Sequence, residues 1–241
     1  MKRQRTSLPK PPAKKIRAAA AVIAQANPPP KAKSSRSGSG RGNTSQIPRG
    51  FVGLAGDRKF VDTAEATYAC NTTGSITHVS IVPTGTTVNT RDGKAFRVTS
   101  VQIRGAASVD TTTTVALANF AFVWDYQPNK ALPGLTDIWD TIDGSTMIKR
   151  ENNARFKIAM WRHWTLTGNT TAPATGREAE SIDEFIKLPK DAIALCTSAD
   201  TTGVIGNRIN GALYYCTFGN VAAGTADAVT IVKIRTNFIE I

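Results

Sequence analysis

The sequence predicts an all-β protein: an eight-stranded antiparallel jelly roll, built as a two-sheet β-sandwich, that follows a disordered basic N-terminal arm. Three observations lead to this prediction. All surplus positive charge lies in the first fifth of the chain. The remainder contains short runs rich in Thr, Val and Ile that alternate apolar with polar positions between turn residues, and few stretches have a helical period. We therefore divide the chain into an arm, residues 1–55, and one body domain, residues 56–241.

Charge separates the arm from the body. The chain carries 30 Lys+Arg and 18 Asp+Glu, a formal net charge of +12, and its first acidic residue is Asp57. Because twelve basic residues precede that position, the remaining 18 balance the 18 acidic residues. Few large apolar groups and strong like-charge repulsion cannot offset the entropy of ordering, so we predict that the arm is disordered when free. The residues predicted to bind nucleic acid are Lys2, Arg3, Arg5, Lys10, Lys14, Lys15, Arg17, Lys31, Lys33, Arg36, Arg41 and Arg49.

The chemistry of the arm favours charge neutralisation over base recognition. Lysine and arginine displace the counterions of phosphates, which gives tight, salt-sensitive and sequence-independent binding. The first fifty residues contain no aromatic side chain on which a base could stack. A bipartite nuclear-import signal is also predicted, since two basic clusters flank a ten-residue spacer; import and polyanion binding share this pattern. Its residues are Lys2, Arg3, Lys14, Lys15 and Arg17.

The body is predicted to contain eight strands, at about 59–69, 76–82, 95–107, 115–125, 155–166, 181–188, 209–218 and 229–240. In the third strand the apolar positions change parity between Val98 and Val101, which predicts a bulge. A similar change follows Leu117 in the fourth strand. The fifth strand is predicted to bury one face, formed by Phe156, Ile158, Met160, Trp164 and Leu166. A short helix is predicted over Asp137–Ile142.

No catalytic constellation is found in the sequence, so no enzyme activity is predicted. The two histidines, His78 and His163, are interpreted as surface or interface side chains. Three scattered cysteines lack metal-ligand spacing and are interpreted as buried reduced thiols: Cys70, Cys196 and Cys216.

No metal or other cofactor is predicted. The best candidate for a cation is a set of three acids, which we interpret as a solvated acidic face, with a calcium ion between subunits left open: Asp137, Asp140 and Asp143. No apolar run approaches the ~20 residues that span a bilayer, so no membrane partner is predicted.

Three stretches carry a resemblance to a known family. They are Pro83–Gly93, which closes on Ser100–Gly105; Trp124–Pro133; and Asn152–Lys157. In order and spacing these stretches resemble capsid proteins of circular Rep-encoding single-stranded DNA viruses, the circovirus and geminivirus type. They are also similar to the coat proteins of small satellite viruses. The resemblance covers residues 83 to about 166.

The resemblance implies one jelly roll that self-assembles into a sixty-copy (T=1) icosahedral shell around single-stranded DNA, with the arms pointing inward. It also implies a virion protein that enters the host nucleus through import receptors. The resemblance favours DNA over RNA as the genome. The arm, however, mixes Lys, Pro and Ala where many relatives have a denser Arg-rich arm, and small satellite RNA viruses use a similar shell, so RNA is left open. The alternative is a cellular β-sandwich module that binds nucleic acid through a basic tail; a hydrolase on the same scaffold would need a His/carboxylate cluster that the sequence lacks.

Overall fold

The computed structural model describes residues 58–109, 115–143, 146–168, 179–197, 200–224 and 228–241. Within these ranges the chain is mainly extended, and every pair of neighbouring strands is antiparallel. Its strands are β1 (Lys59–Asp62), β2 (Ala66–Cys70), β3 (Ser75–His78), β4 (Ala95–Ser108), β5 (Ala116–Asp125), β6 (Phe156–Leu166), β7 (Ala179–Lys187), β8 (Ile193–Cys196), β9 (Arg208–Asn210), β10 (Ala212–Gly219) and β11 (Ala228–Glu240). One helical turn, α1 (Leu135–Ile138), follows β5.

The strands form two sheets with jelly-roll connectivity. In the larger sheet β1 and β2 both pair with one side of β11, which pairs with β4, and both β7 and β8 pair with the far side of β4. The smaller sheet has the order β3–β10–β5–β6. Counting β1/β2 and β7/β8 as one position each gives two sheets of four positions, to which β9 adds an edge. This arrangement confirms the predicted antiparallel jelly roll, and the eight predicted strands correspond to its eight positions.

Alternating side chains of the two sheets fill the main core. From β4, Phe96, Val98, Val101 and Ile103 are fully buried in it, and Phe238 of β11 packs edge-on against Phe96. The change of parity reflects a bulge, because Asn237 pairs with Ser100 whereas the next residue, Phe238, pairs with Val98. The extra residue lets both halves of one long strand point their apolar side chains inward, as the sequence predicted.

A second apolar cluster covers the outer face of the smaller sheet. The connection between β5 and β6 folds back over this face, and α1 contributes Leu135 and Ile138. Trp139 directly follows α1, and the centre of its ring lies 4.7 Å from the centre of the Phe218 ring in β10. As a result the smaller sheet is apolar on both sides, and β10 is buried along its whole length.

This cluster and one bulge correct the prediction for β6. Between Phe122 and Val123 the partner residue shifts from Met160 to Ile158, so Ala159 is the extra residue. The bulge reverses which sheet face the side chains at the start of β6 point to. Phe156 and Ile158 pack in the second cluster, whereas Met160, Trp164 and Leu166 face the main core. The five side chains therefore do not share one face.

The parity change predicted for the fourth strand is absent from it. In β5 every second residue from Ala116 to Trp124 faces the main core without interruption. Val115 precedes the strand and is exposed, while Leu117 lies on the opposite face. The irregularity in this pair of strands lies in β6 instead.

Other corrections concern strand ends. The run predicted at 59–69 forms two strands, β1 and β2. Between them Thr63 interrupts the backbone ladder with β11: its N–H donates to the Ile234 carbonyl oxygen, and its hydroxyl oxygen accepts from the Ile234 N–H. Gly211 splits the run predicted at 209–218 into β9 and β10, and β8 was not predicted. The predicted helix Asp137–Ile142 is a single turn that ends at Ile138.

Candidate functional site

The predicted nucleic-acid-binding residues, from Lys2 to Arg49, all lie outside the described residues, as do the five residues of the predicted import signal. The described part of the chain holds the other candidates. It contains two buried polar networks, the acidic candidates for a cation, and a charged groove on the larger sheet.

The first network joins the loop after β3 to the loop before β9. Arg91 and Asp200 are both buried, and the Arg91 Nη2 lies 2.8 Å from Asp200 Oδ2. Asp200 Oδ1 accepts hydrogen bonds from Gly203 N at 2.8 Å and Asn207 Nδ2 at 2.9 Å. Burial alone would raise the pKa of Asp200, but these donors and the Arg91 charge together hold it below its ordinary value. The two loops are thereby fixed to each other by a satisfied ion pair.

Arg208 extends this network beneath the loops. Its guanidinium donates to Cys196 Sγ at 2.7 Å and to the carbonyl oxygens of Ser80 and Gly203, and it lies 4.7 Å from the centre of the Phe96 ring. Burial raises the pKa of the Cys196 thiol. All three cysteines are buried thiols that form no disulfide, as predicted.

His78 belongs to the same region, and the prediction of a surface or interface histidine is wrong for it. The side chain is 6% exposed, and its Nε2 lies 2.9 Å from Ser80 Oγ. Burial, followed by the Arg208 charge, lowers the pKa of His78 to about 3. An imidazole with so low a pKa is a poor general base for the neighbouring serine. His163 is exposed on β6, as predicted.

The second network fixes the β5–β6 connection to the smaller sheet. Asp125 is fully buried and accepts hydrogen bonds from Arg155 Nε at 3.0 Å, Arg155 Nη2 at 2.9 Å and Tyr214 hydroxyl at 3.2 Å. Hydrogen bonding to Asp125 raises the pKa of Arg155 above its ordinary value. Both ends of the connection are therefore joined by one bidentate ion pair.

The three acidic candidates for a cation site accept hydrogen bonds within the β5–β6 connection, and Asp143 Oδ1 accepts from the Thr141 hydroxyl at 3.3 Å. Asp137 Oδ2 accepts from Gly134 N at 2.8 Å at the start of α1. Asp140 lies beyond α1, and its Oδ1 accepts from the backbone N–H groups of Thr141 and Met147, each at 2.8 Å. Asp137 and Asp140 thus do not share a helix face. Among the described residues no group of three or more His, Cys, Asp and Glu side chains is arranged to hold a metal.

A charged groove lies on the outer face of the larger sheet. Its volume is about 210 Å³, and it is lined by Asp62, Gln102, Arg104, Lys233 and Arg235. Arg235 makes two hydrogen bonds of 2.7 Å to the Asp62 carboxylate, which lowers the pKa of Asp62. Arg104 Nε donates to Asp183 Oδ1 at 3.1 Å.

The fold and these networks account for the stretches on which the family resemblance rests. Arg91 lies in the first stretch, Asp125 in the second and Arg155 in the third, and all three are joined in buried or half-buried ion pairs. Residues 22–241 match the family model described as geminivirus coat protein/nuclear export factor BR1 family. The chain belongs to this family. The match covers more than nine-tenths of the chain and confirms the predicted relationship.

Membership makes the chain a viral capsid protein, located in the virion, with a structural and not an enzymatic role. In the part of the coat protein that the structure describes, no helix is long and apolar enough to span a bilayer. The ion pairs Asp125–Arg155 and Arg91–Asp200 could not be predicted from the sequence, because the two partners of each pair are 30 or more residues apart in the chain. The only signal was an aspartate at the end of an apolar strand.

Solved structures give weaker comparisons. A structure of infectious bursal disease virus Gx strain is similar over 77% of this coat protein and 33% of that chain, with 8% identity and a TM-score of 0.27. The chain thus spans about a third of that protein. The VP1 protein of Trichodysplasia spinulosa-associated polyomavirus, in complex with GM1 oligosaccharide, is similar over 76% of this chain and 92% of its own, with 6% identity and a TM-score of 0.22. No curated protein sequence matches the coat protein.

Proposed function

We propose that this coat protein self-assembles into a small icosahedral shell of sixty copies and packages single-stranded nucleic acid, DNA in preference to RNA. The basic arm, residues 1–55, is the segment that binds the genome. The observation that carries the proposal is the distribution of charge: the first fifty residues hold twelve basic groups and no acidic one, whereas the rest of the chain is balanced.

The charge distribution suits both halves of the role. Sixty arms would bring on the order of 700 positive charges to the interior, which offsets much of the phosphate charge of a small genome. Balanced bodies can meet at subunit interfaces without net repulsion. The arm lacks aromatic residues, so we expect binding to depend on charge and not on sequence.

The same arm is proposed to carry the protein into the host nucleus. The residues Lys2, Arg3, Lys14, Lys15 and Arg17 have bipartite spacing, and host import receptors are the partners that this spacing fits. Assembly in the nucleus would bring the coat protein to newly made single-stranded DNA.

Particle mass and nucleic-acid content test the proposal together. Sixty chains of 25.7 kDa give a shell of about 1.5 MDa before the genome is added. We expect purified protein to form closed particles of that shell mass, with an absorbance ratio at 260 and 280 nm typical of nucleoprotein. Replacing all twelve arm cations by glutamine should abolish nucleic-acid retention. The matched control, Lys130→Gln with Lys157→Gln, changes exposed cations of the body and should retain the genome.

The outcomes separate the parts of the proposal. A discrete particle of another mass would overturn the copy number alone. Normal packaging by the arm variant would overturn the role of the arm. The family description also includes a nuclear export factor. A small oligomer that never closes, in several salts and with added single strands, would favour that role. Membership in a viral family argues against the cellular module.

A further inference from the structure

The outer face of the larger sheet has more positive charge than the body as a whole. The strand register places seven charged side chains on this face, within the described residues, pointing away from the main core. Five are cations and two are carboxylates, although residues 51–241 together carry equal numbers of each sign. They are Arg97, Arg104, Lys187, Lys233 and Arg235, with Asp62 and Asp183.

The groove described above lies at the centre of this face. Lys233 and Arg104 stand directly opposite each other in the β11–β4 ladder. Like charges in directly opposed positions destabilise an antiparallel pair. The nearest carboxylates reduce this repulsion only in part. Lys233 Nζ is 4.0 Å from the Asp62 carboxylate, and that carboxylate already accepts hydrogen bonds from Arg235 Nε and Nη2.

The ion pair between Arg104 and Asp183 is also weak. The Arg104 and Asp183 side chains are 67% and 64% exposed, and exposed ion pairs of this kind contribute little to stability. A bound anion can therefore replace Asp183 as the partner of the Arg104 guanidinium with little loss of free energy of folding. The groove, of about 210 Å³, is larger than the space that a single water molecule needs, so a phosphate group can enter it beside the two cations.

We propose that this groove binds the phosphate backbone of the packaged single strand as a second contact, with Arg104 and Lys233 as the phosphate ligands. The inference rests on the proposed function and adds a defined surface of the body to it. The Gln102 side chain lines the same groove, directly opposite Arg235 in the β11–β4 ladder and two residues from Arg104, and offers a neutral hydrogen-bond donor to the same backbone.

Covalent connection supports the assignment. The chain passes from the arm into β1, whose Asp62 lines the groove. One strand of nucleic acid bound by both the arm and the groove is held at two points of the same protein. The second contact then forms at high effective concentration, so two cations in the groove can matter beside twelve in the arm.

The test uses full-length coat protein with Arg104→Gln and Lys233→Gln combined. Both side chains are exposed and weakly paired, so the fold should be retained. Arg235 is left unchanged because it bonds to Asp62 and its guanidinium lies 4.4 Å from the centre of the Phe60 ring. Binding of a labelled thirty-nucleotide oligo(dT) is measured over a range of salt concentrations. For single strands each lost phosphate contact lowers the slope of log K against log salt by about 0.7, so we expect a decrease of about 1.4.

Two further variants give the comparison. The control Lys130→Gln with Lys157→Gln removes the same charge from outside this face and should leave the slope unchanged. The arm variant Lys14→Gln, Lys15→Gln, Arg17→Gln tests the proposed function separately. A slope lowered by the groove variant and not by the control supports the groove. An unchanged slope for the groove variant, or an equal decrease in the control, overturns it. If the arm variant keeps the wild-type slope while the groove variant lowers it and the control does not, the arm assignment fails and the groove stands.

Discussion

At the scale of single residues, His78 links stability to pH. Its pKa is about 3 in the folded chain against 6.5 for an unperturbed histidine, because burial excludes the charged imidazolium. Between those values the unfolded chain binds one more proton, so the free energy of unfolding falls as pH falls from 6.5 toward 3. We expect this group to contribute a slope of about 1.4 kcal/mol per pH unit. This contribution should be absent in His78→Gln, measured by urea unfolding of unassembled protein between pH 6 and 5.

The control for this measurement is His163→Gln. His163 is exposed on β6, so the same substitution there leaves the buried His78 and its surroundings intact. Equal slopes in the natural protein and in His78→Gln would contradict the burial of a neutral imidazole. Carboxylates with lowered pKa, such as Asp200 and Asp62, begin to add their own loss of stability below about pH 5, where the unfolded chain starts to protonate them.

At the scale of elements, the loop from Asp200 to Asn207 depends on one glycine. Gly203 has a φ of +76°, and a Cβ at this position would lie 2.4 Å from the Val82 carbonyl oxygen. In an alanine variant, backbone strain from the positive φ and the steric clash of the Cβ with Val82 would both distort the loop that holds Asp200 against Arg91. We expect Gly203→Ala to lower the free energy of unfolding by about 2–3 kcal/mol.

Gly206, three residues later in the same loop, is the matched control. A Cβ there would meet nothing within 4 Å, and the backbone has no positive φ. Gly206→Ala should therefore be neutral or stabilise by less than about 1 kcal/mol. Thermal or urea unfolding of the two variants in parallel checks the pair. Equal effects would mean that the loop does not fix the network.

The same scale explains which elements could be predicted. The bulge in β4 was visible because Phe96, Val98, Val101 and Ile103 are apolar on both sides of the parity change. The bulge in β6 was hidden, since both faces of that strand meet apolar layers and alternation no longer marks one buried side. β8 and β9 contain four and three residues, too few to show a period.

At the scale of the whole molecule, the amount of packaged nucleic acid should follow the charge of the arm. Five of the twelve arm cations lie after Pro30. Replacing them by glutamine should reduce the nucleotides per particle by about two-fifths if charge neutralisation sets the capacity. The variant carries Lys31→Gln, Lys33→Gln, Arg36→Gln, Arg41→Gln and Arg49→Gln. Phosphate analysis of purified particles gives the number directly.

An uncharged control separates charge from sequence in this experiment. Five polar residues of the same segment can be replaced by glutamine without a change of charge: Ser34, Ser35, Ser37, Ser39 and Thr44. We expect particles of this variant to package as much as the natural protein. A similar loss in both variants would show that the segment acts through its sequence or length, contrary to the proposal.

The charge asymmetry of the whole chain was available from sequence because it needs only a count along the chain. The surface that the body offers to nucleic acid was not, because Arg104 and Lys233 are 129 positions apart and become neighbours only through the β4–β11 ladder. The same holds for Asp125 and Arg155, which meet only when the intervening connection folds back. Such pairings follow from tertiary structure and leave no local pattern.

The second apolar cluster has a consequence for how this gene can vary. Because the β5–β6 connection covers the outer face of the smaller sheet, β10 is buried throughout and β5 almost throughout. A replacement by a polar or charged residue in either strand meets an apolar layer whichever way the side chain points. In a replicating viral population these two short stretches of coding sequence should therefore accept the fewest amino-acid changes, and lineages should diverge mainly elsewhere in the gene.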